Sequence, residues 1–316
     1  MGAAIETENL TKEFLVGFWR PRPYRALDAL TLEVDAGEVF GFLGPNGAGK
    51  STTLKLLMQL IFPTAGSARI LGRPAGDVAV RKRIGFLAEN PYYYDYLTAE
   101  EVLTYFARLF DLQDVRTRVS KVLDEVGIGG ERRLRLRQFS KGMLQRVGLA
   151  QAILNDPEVV FLDEPMSGLD PIGRREVRDL ILRLRARGCT VFFSSHILSD
   201  AETLCSRVAI MAQGRLAASG RISELVAFEP KGWELVVSGI EDVVHAELAP
   251  RVAAMRPMSH GRYTIHLAAT DRPEQLMTEL RGRGARVESL NPIRDTLEDV
   301  FMQQIASAQQ RDTSRL

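Results

Sequence analysis

The stretch Gly44-Pro45-Asn46-Gly47-Ala48-Gly49-Lys50-Ser51-Thr52 decides the fold of this chain. Two glycines five residues apart, followed directly by lysine and serine, form the pattern of a phosphate-binding loop. Glycine lets successive backbone N–H groups curl around an anion, and Lys50 supplies a mobile positive charge for the β- and γ-phosphates. The hydroxyl of Ser51 is a suitable Mg²⁺ ligand. The stretch therefore predicts a site for nucleotide phosphates.

The residues on either side of this loop support the same interpretation. Val39–Leu43 is an apolar run that predicts a buried strand, and Thr53–Met58 begins a helix, whose N-terminus favours negative charge. The alternative is a glycine-rich turn that matches the pattern by accident. The strand before the loop and the helix after it argue against that alternative.

A second apolar run, Val159–Leu162, ends in two adjacent carboxylates, Asp163 and Glu164. A strand buried on both faces of a parallel sheet has this character, and its functional residues lie at its carboxyl end. Asp163 suits the coordination shell of Mg²⁺, and Glu164 suits a group that orients or deprotonates an attacking water. Alternatively, both acids face solvent at a strand end. The phosphate loop upstream favours the catalytic interpretation.

Three further features follow along the chain. Ser140 stands where the N-cap of a helix belongs, and Asp170 with Pro171 forms the cap and first turn of another helix. His196 comes directly after the apolar strand Cys189–Ser195. A single histidine at such a place is usually structural, so His196 gains functional weight only together with the other motifs.

In this order and spacing the motifs resemble the ATP-binding-cassette (ABC) ATPases, over about the first 225 residues. Gly44–Thr52 resembles the Walker A motif, and Phe161–Glu164 resembles the end of the Walker B strand. Ser140–Met143 stands at the position of the family's signature motif. Ser167–Asp170 resembles the D-loop, and His196 resembles the switch histidine.

The chain departs from the family pattern at two places. Lys141 and Met143 replace a glycine and a glutamine of the signature, and Glu89 stands where the family usually has the glutamine of the Q-loop. Both variants resemble bacterial exporter ATPases that work with separate membrane subunits. The resemblance implies catalytic roles for Glu164, His196 and Glu89; Mg²⁺ ligands at Ser51, Asp163 and Glu89; and ATP contacts from Gly44–Thr52, Phe14, Ser140 and Gly142.

Phe14 is the residue nearest to the position where an aromatic side chain of the family stacks on adenine. The aromatic and basic loop Gly17–Arg25 follows it and leaves Trp19 and Tyr24 as rival candidates. Simple packing of Phe14 under the sheet is the other interpretation. The sequence does not choose between them.

The predicted fold class is α/β. It has a P-loop NTPase core, an N-terminal antiparallel β subdomain, an inserted helical subdomain and a small C-terminal α+β domain. The predicted boundaries are residues 1–226 for the ATPase domain, with its helical part at about 90–157, a linker at 227–232 and an accessory domain at 233–316. Within that last domain, the pattern predicts a helix over Val243–Met255.

Four tyrosines fall within residues 92–96, just after the Q-loop position. Tyrosine gives amphipathic contact area at low entropic cost, as interfaces favour. In the family, this surface receives a helix of the membrane subunit, so at least one tyrosine is expected to face that partner. The alternative is an aromatic loop that folds onto its own domain.

Composition is that of a globular protein: 316 residues, 45% hydrophobic and 26% charged, with a net charge of +1. That charge gives no reason to expect a nucleic-acid partner, and the arginines within residues 132–137 are interpreted as a solvated face. The longest uncharged stretch, Leu56–Ala68, is shorter than the roughly 20 apolar residues of a spanning helix. With no secretory leader recognised and two cysteines interpreted as buried thiols, the expected location is cytoplasmic.

The resemblance implies an ATP-binding and ATP-hydrolysing subunit of an ABC transporter, with ATP and Mg²⁺ as ligands. It would form a homodimer and work, on the inner face of the cell membrane, with an integral-membrane permease in export. The alternative function is a soluble ABC ATPase that acts on DNA, ribosomes or protein assembly. A non-enzymatic nucleotide-binding regulator is a third possibility, which the intact Glu164 and His196 argue against.

Overall fold

The computed structural model describes residues 2–17, 19–226, 230–240, 247–248 and 251–313, with side chains described as far as residue 307. The chain divides into two units. One runs from the first residues to Ile222 and includes the segment from Phe301 onward; the other runs from Ser223 to Val300. The sequence instead placed a linker at 227–232, of which 227–229 lie outside the described residues, so the domain division at the linker stays a prediction.

Strands and helices alternate through most of the first unit. Its strands are β1 (Ala3–Val16), β2 (Arg22–Asp35), β3 (Val39–Leu43), β4 (Ala65–Ile70), β5 (Arg73–Pro74), β6 (Ile84–Leu87), β7 (Val159–Asp163), β8 (Thr190–Ser195), β9 (Arg207–Ala212) and β10 (Arg215–Arg221). Its helices are α1 (Lys50–Leu57), α2 (Val78–Arg81), α3 (Ala99–Leu109), α4 (Val115–Glu125), α5 (Lys141–Ile153), α6 (Pro171–Ala186) and α7 (Leu198–Leu204). The short helix α8 (Ile222–Leu225) follows β10 directly.

A six-stranded sheet of order β10-β9-β3-β8-β7-β6 carries the predicted catalytic motifs. Strands β9 to β6 pair in parallel, and β10 closes one edge in the antiparallel sense. Every residue of β3 and β7 is buried, as expected for strands covered on both faces. The carboxyl ends of β3, β7 and β8 therefore bring the phosphate loop, the acidic pair and His196 to one edge of the sheet.

A second sheet is antiparallel and has the order β2-β1-β4-β5. Its long β1–β2 hairpin extends further than the sequence predicted, because β2 begins at Arg22 and Phe14 pairs with Tyr24. The predicted loop over Gly17–Arg25 is therefore too long. Pro23 is tolerated in β2 because this strand lies at the edge of the sheet, where a missing N–H costs no ladder hydrogen bond.

Helix α1 joins these two sheets through a shared core. Its residues Leu54, Leu56 and Leu57 are buried in one apolar cluster with residues of both sheets, among them Phe42 and Leu30. Burying such side chains contributes about 1.5–3 kcal/mol each to folding. The phosphate loop, which precedes α1, is thus anchored at both of its ends.

The helical subdomain contains α3, α4 and α5. Helix α3 begins with a capping box, in which the hydroxyl of Thr98 accepts from the backbone N–H of Glu101 and the Glu101 carboxylate accepts from the N–H of Thr98.

The arginines within residues 132–137 differ in exposure. Arg133 is exposed, whereas Arg132 is half-buried and pairs with Asp124.

The second unit contains a four-stranded antiparallel sheet and a helix. Strands β11 (Gly232–Ser238), β12 (Ala254–Met258), β13 (Arg262–Ala268) and β14 (Arg286–Ile293) follow the order β12-β13-β11-β14, and α9 (Pro273–Gly282) connects β13 to β14. Leu235, Ile265 and Leu280 lie in its core. Helix α10 (Leu297–Thr313) begins in this unit, and from Phe301 it belongs to the first.

The predicted helix over Val243–Met255 is only partly described, because residues 243–246 and 249–250 lie outside the described residues. The predicted C-terminal end of this helix is wrong, since Met255 lies in β12 and pairs with Ile265 of β13. Apolar residues every few positions fit a helix as well as an alternating strand over so short a run. The α/β fold class, with its antiparallel, helical and C-terminal parts, is confirmed.

Candidate active site

The loop between β3 and α1 has a backbone that only glycine fits at two positions. Gly49 has a φ of +100°, and a Cβ there would lie 2.7 Å from the carbonyl oxygen of Ala26. At Gly44, a Cβ would lie 2.7 Å from the carbonyl oxygen of Met211. The glycines thus let the loop pass close to neighbouring backbone while its own N–H groups stay available to an anion.

The loop lines a cavity of about 340 Å³, which is also lined by residues from distant parts of the sequence. Glu89 comes from the segment after β6, and Glu164 follows β7. The lining residues are Phe14, Tyr24, Ala26, Pro45, Asn46, Gly47, Gly49, Lys50, Ser51, Thr52, Glu89 and Glu164. The cavity therefore unites the phosphate loop with two of the predicted catalytic carboxylates.

Lys50 is buried and points back across the loop. Its Nζ donates to the carbonyl oxygens of Gly44 at 2.6 Å and Pro45 at 3.2 Å, and lies 3.4 Å from Oε1 of Glu164. A buried ammonium group needs such oxygen partners, because its desolvation is otherwise costly. The positive charge is held where the phosphate loop and the acidic strand end meet.

Glu164 adopts a left-handed backbone, with a φ of +50°, directly after β7. Its side chain is buried, and its Oε2 lies 2.8 Å from Nδ1 of His196, which is about half exposed. An L-residue in this conformation costs about 1–2 kcal/mol, so the surrounding contacts must hold it there. Glu164 is thus in direct contact with Lys50 and with His196, which come from two other motifs.

Asp163 and Glu164 are both connected to Ser194, a residue that the sequence interpretation missed. The Ser194 hydroxyl donates to Oδ1 of Asp163 at 2.6 Å and accepts from the backbone N–H of Glu164 at 3.0 Å. The signal for Ser194 was its polarity within the apolar run of β8. Gln145, also missed, is buried in α5 and donates to the carbonyl oxygen of Pro165 at 3.2 Å.

Oxygen donors for a divalent cation are present near the loop. The hydroxyl of Ser51 and the carboxylate of Glu89 line the cavity, and Asp163 is buried beside Glu164. Within the described residues, no group of three or more His, Cys, Asp or Glu side chains is arranged to hold a metal alone. This donor set fits Mg²⁺, which commonly takes one or two carboxylates together with phosphate oxygens and waters.

Ser140 and Gly142 lie elsewhere, in a separate cavity of about 640 Å³. The Ser140 hydroxyl caps α5 by accepting from the backbone N–H of Met143 at 3.2 Å, as predicted for an N-cap. Gly168–Asp170 of the D-loop line the same cavity, and Asp170 caps α6 by accepting from the N–H of Gly173. Within one chain, the signature residues are therefore not brought to the phosphate loop.

The aromatic candidates for adenine separate into two groups. Phe14 and Tyr24 are cross-strand partners and both line the phosphate-loop cavity, whereas Trp19 is 90% exposed and is not among the residues that line it. The ammonium of Lys12 lies 5.0 Å from the centre of the Phe14 ring. Phe14 remains the residue predicted to stack on adenine, and Tyr24 lies beside it in the same cavity.

The tyrosines after Glu89 face in different directions. Tyr92, Tyr94 and Tyr96 are exposed, with Tyr92 at 91%. Tyr93 turns inward and donates from its hydroxyl to Oε1 of Gln151 at 2.7 Å, and burial raises the pKa of its phenol. The loop therefore uses one tyrosine for packing and presents three to its surroundings.

Fold and site together define an ATPase of the P-loop class. Residues 27–167 match the family model described as ABC transporter. A relative from Synechocystis, an uncharacterized ABC transporter ATP-binding protein, is 44% identical over 305 residues, covering 95% of this chain and 84% of the relative. The chain belongs to the family of ABC transporter ATP-binding proteins and is an ABC-type ATPase.

Two further proteins that are similar to this chain are an export ATP-binding protein and a dimeric ATP-binding cassette. A fluoroquinolones export ATP-binding protein from Mycobacterium tuberculosis is 39% identical over 202 residues, covering 63% of this chain and 66% of that protein. The solved dimeric structure of an ATP-binding cassette in a post-hydrolysis state, bound to ADP and Pi, matches with a TM-score of 0.64. The two sequences are 25% identical, and the match covers 69% of this chain and 98% of the chain in the solved structure.

None of the helices that the structure describes combines the length and the apolar character needed to cross a membrane.

Proposed function

We propose that this chain drives an integral-membrane permease in export, through ATP-dependent closure of a homodimer. The observation that carries the proposal is the division of the predicted ATP contacts between two cavities. Lys50 and Ser51 line one, and Ser140 and Gly142 line the other. Two copies arranged head to tail would bring the signature residues of each chain to the phosphate loop of its partner. The similar ATP-binding cassette whose solved structure is dimeric supports the formation of a dimer.

The chemistry at each site is attack of a water oxygen on the γ-phosphorus of ATP, which breaks the bond between that phosphorus and the β–γ bridging oxygen and releases ADP and phosphate. Glu164 orients this water and accepts its proton, while the contact with His196 keeps the carboxylate aimed into the cavity. Lys50 leaves its carbonyl partners for the β- and γ-phosphate oxygens and balances their charge. Ser51, Asp163 and Glu89 would hold Mg²⁺, which would neutralise part of the phosphate charge when bound.

The exposed tyrosines support a protein partner for this subunit. Tyr94 and Tyr96 lie with ring centres 5.6 Å apart, and Tyr92 extends the same short segment directly after Glu89. A cluster of exposed aromatic side chains is typical of an interaction surface. We assign it to a cytoplasmic helix of the permease, so that the chain lies at the inner face of the membrane.

Export is proposed because the fluoroquinolones export protein is similar to this chain over the cassette. We further propose that residues 233–316 form an accessory domain that contributes to the dimer contact or to regulation. The described strands and α9 give this region its own apolar core, in which Leu235, Ile265 and Leu280 are buried. A region with its own core can fold without contributing to the ATP site.

A transport assay with an identified membrane partner tests the proposal. The membrane protein that co-purifies with a tagged form of this chain in detergent is identified, and the complex is reconstituted into proteoliposomes. ATP-dependent accumulation of cargo in vesicles whose cassettes face outward supports export, and Lys50→Ala must abolish it. A chain that hydrolyses ATP but responds to DNA or ribosomes, and never to the permease, would contradict the proposal.

A further inference from the structure

Ser194 is completely buried in β8 and faces the acidic end of β7. The pairing of the two parallel strands places Asp163 directly opposite Ser194. Directly paired residues of neighbouring strands point to the same side of a sheet. The Ser194 hydroxyl therefore lies beside the Asp163 carboxylate because of strand register, without any contribution from a flexible loop.

The directions of the two hydrogen bonds at Ser194 are fixed by chemistry. An ionised carboxylate only accepts, so the single hydroxyl proton of Ser194 goes to Oδ1 of Asp163, at 2.6 Å. The lone pairs of the same oxygen accept the backbone N–H of Glu164, at 3.0 Å. One hydroxyl thus connects the side chain of the first acidic residue to the backbone of the second.

This connection falls where the chain changes conformation. Asp163 is the last residue of β7, and Glu164 takes up the left-handed backbone conformation that side-chain-bearing residues rarely adopt. Lys50 and His196 hold the carboxylate of Glu164, at 3.4 Å and 2.8 Å, but neither is bonded to its N–H. Ser194 is the partner that fixes the backbone from which this carboxylate extends.

We infer that Ser194 is a positioning residue for ATP hydrolysis. The hydroxyl of Ser194 orients the Asp163 carboxylate toward the place where Mg²⁺ would bind. It also fixes the backbone of Glu164, and with it the direction in which the Glu164 carboxylate points toward the attacking water. The inference rests on the proposed roles of Asp163 and Glu164. It adds that both roles depend on one hydroxyl in the neighbouring strand.

The substitution Ser194→Ala removes the hydroxyl and leaves Lys50 and His196 in place. We expect kcat to fall ~10–100-fold, the usual effect of losing a group that orients a metal ligand. A second measurement does not depend on turnover: ADP binding by calorimetry, in Mg²⁺ and in EDTA. Affinity in EDTA should be unchanged, and the gain in affinity on adding Mg²⁺ should shrink.

Thr190→Val is the matched control, because it deletes another buried hydroxyl from β8. Thr190 lies at the opposite end of the strand and accepts from the backbone N–H of Gly37 at 2.9 Å, away from the site. It should lower thermal stability but leave kcat and the Mg²⁺ effect on ADP binding unchanged. Ser194→Thr, which keeps a hydroxyl, should retain more activity than Ser194→Ala.

Wild-type kcat and an unchanged Mg²⁺ effect in Ser194→Ala would overturn the inference. So would equal losses of kcat in Ser194→Ala and Thr190→Val, because the effect would then follow stability alone. Glu164→Gln is assayed in parallel. If that variant is inactive while Ser194→Ala is fully active, the positioning role fails and the site assignment stands. If Glu164→Gln turns over normally, the assignment of the site itself fails.

Discussion

The ammonium nitrogen of Lys50 lies 3.4 Å from Oε1 of Glu164, and both side chains are buried. The other carboxylate oxygen of Glu164 contacts Nδ1 of His196 at 2.8 Å. The carboxylate is therefore held through both of its oxygens by two residues, each from a different motif. The two proposed functions of the site fall on different residues: Lys50 of the loop would bind phosphate, and Glu164 at the strand end would accept a proton.

The first prediction uses that separation. Glu164→Gln keeps the size of the side chain but removes its basicity, so hydrolysis should fall at least ~100-fold while ATP binding persists. Phosphate release measures turnover, and size-exclusion chromatography should show an ATP-dependent dimer of the variant. Glu158→Gln is the control, since Glu158 is exposed and pairs with Arg83 outside the site. Wild-type turnover in Glu164→Gln would contradict the role of this residue.

The second prediction concerns the division of each site between two chains. Ser140→Arg places a bulky cation in the signature cavity, so the variant alone should bind ATP but not hydrolyse it. Mixing it with Lys50→Ala chains should restore activity, because one site of each mixed dimer then has an intact loop and an intact signature. Full activity of Ser140→Arg alone would show that Ser140 does not approach the phosphate.

The third prediction distinguishes the aromatic residues near the loop. Phe14→Ala should weaken ADP binding by ~1–3 kcal/mol, the scale of base stacking on an aromatic ring. Tyr24→Ala tests the neighbouring ring, and Trp19→Ala is the control because Trp19 is not among the residues that line the cavity. Calorimetry with ADP measures all three. A loss of affinity confined to Tyr24→Ala would transfer the stacking role to that residue.

The fourth prediction concerns the tyrosines of residues 92–96. Replacing Tyr92, Tyr94 and Tyr96 by Ser should leave the melting temperature and the basal ATPase rate nearly unchanged, because these rings are exposed. Co-purification with the permease, or stimulation by it, should fall. Tyr93→Phe is a contrasting variant, since loss of its hydrogen bond to Gln151 should cost about 1 kcal/mol of stability. Unimpaired assembly of the triple variant would place the docking surface elsewhere.

The fifth prediction concerns the two thiols. Burial raises the pKa of Cys189 from its ordinary value of 9.0 to about 12, and burial also raises the pKa of Cys205. Because the thiolate is the reactive form, neither residue should be alkylated by iodoacetamide at pH 8 until the protein is unfolded. Between pH 9.0 and about 12 the unfolded chain releases the Cys189 proton while the native chain keeps it. Stability should therefore decline as pH rises through this window. Rapid alkylation of Cys189 in the native protein would contradict its assignment as a buried thiol.

Local sequence predicts the strands and the loop on which the candidate site is built. The glycine spacing at Gly44 and Gly49 and the apolar run ending at Asp163 each report a local backbone requirement. Ser194 was missed because its role depends on strand order: nothing in residues 190–195 says that β8 lies beside β7. The same limit applies to the tyrosines, since the inward direction of Tyr93 depends on Gln151, far along the chain in α5.

The β1–β2 hairpin shows the opposite error. Pro21 and Pro23 suggested a loop, but pairing with β1 continues to Arg22. Proline is tolerated in β2 because one side of an edge strand has no hydrogen-bond partners. Local propensity is a weak guide where a neighbouring strand supplies the bonds. Without the sheet order, the loop boundary cannot be placed.

The separation of the phosphate-loop cavity from the cavity at Ser140 also has a kinetic consequence. A chain that needs a second copy to complete its site should hydrolyse ATP at a rate that rises more steeply than in proportion to its own concentration. Dilute chains that are not held at a permease would then consume little ATP. Two chains docked on one membrane protein would meet at a high effective concentration, so that ATP would be used mainly where transport can result.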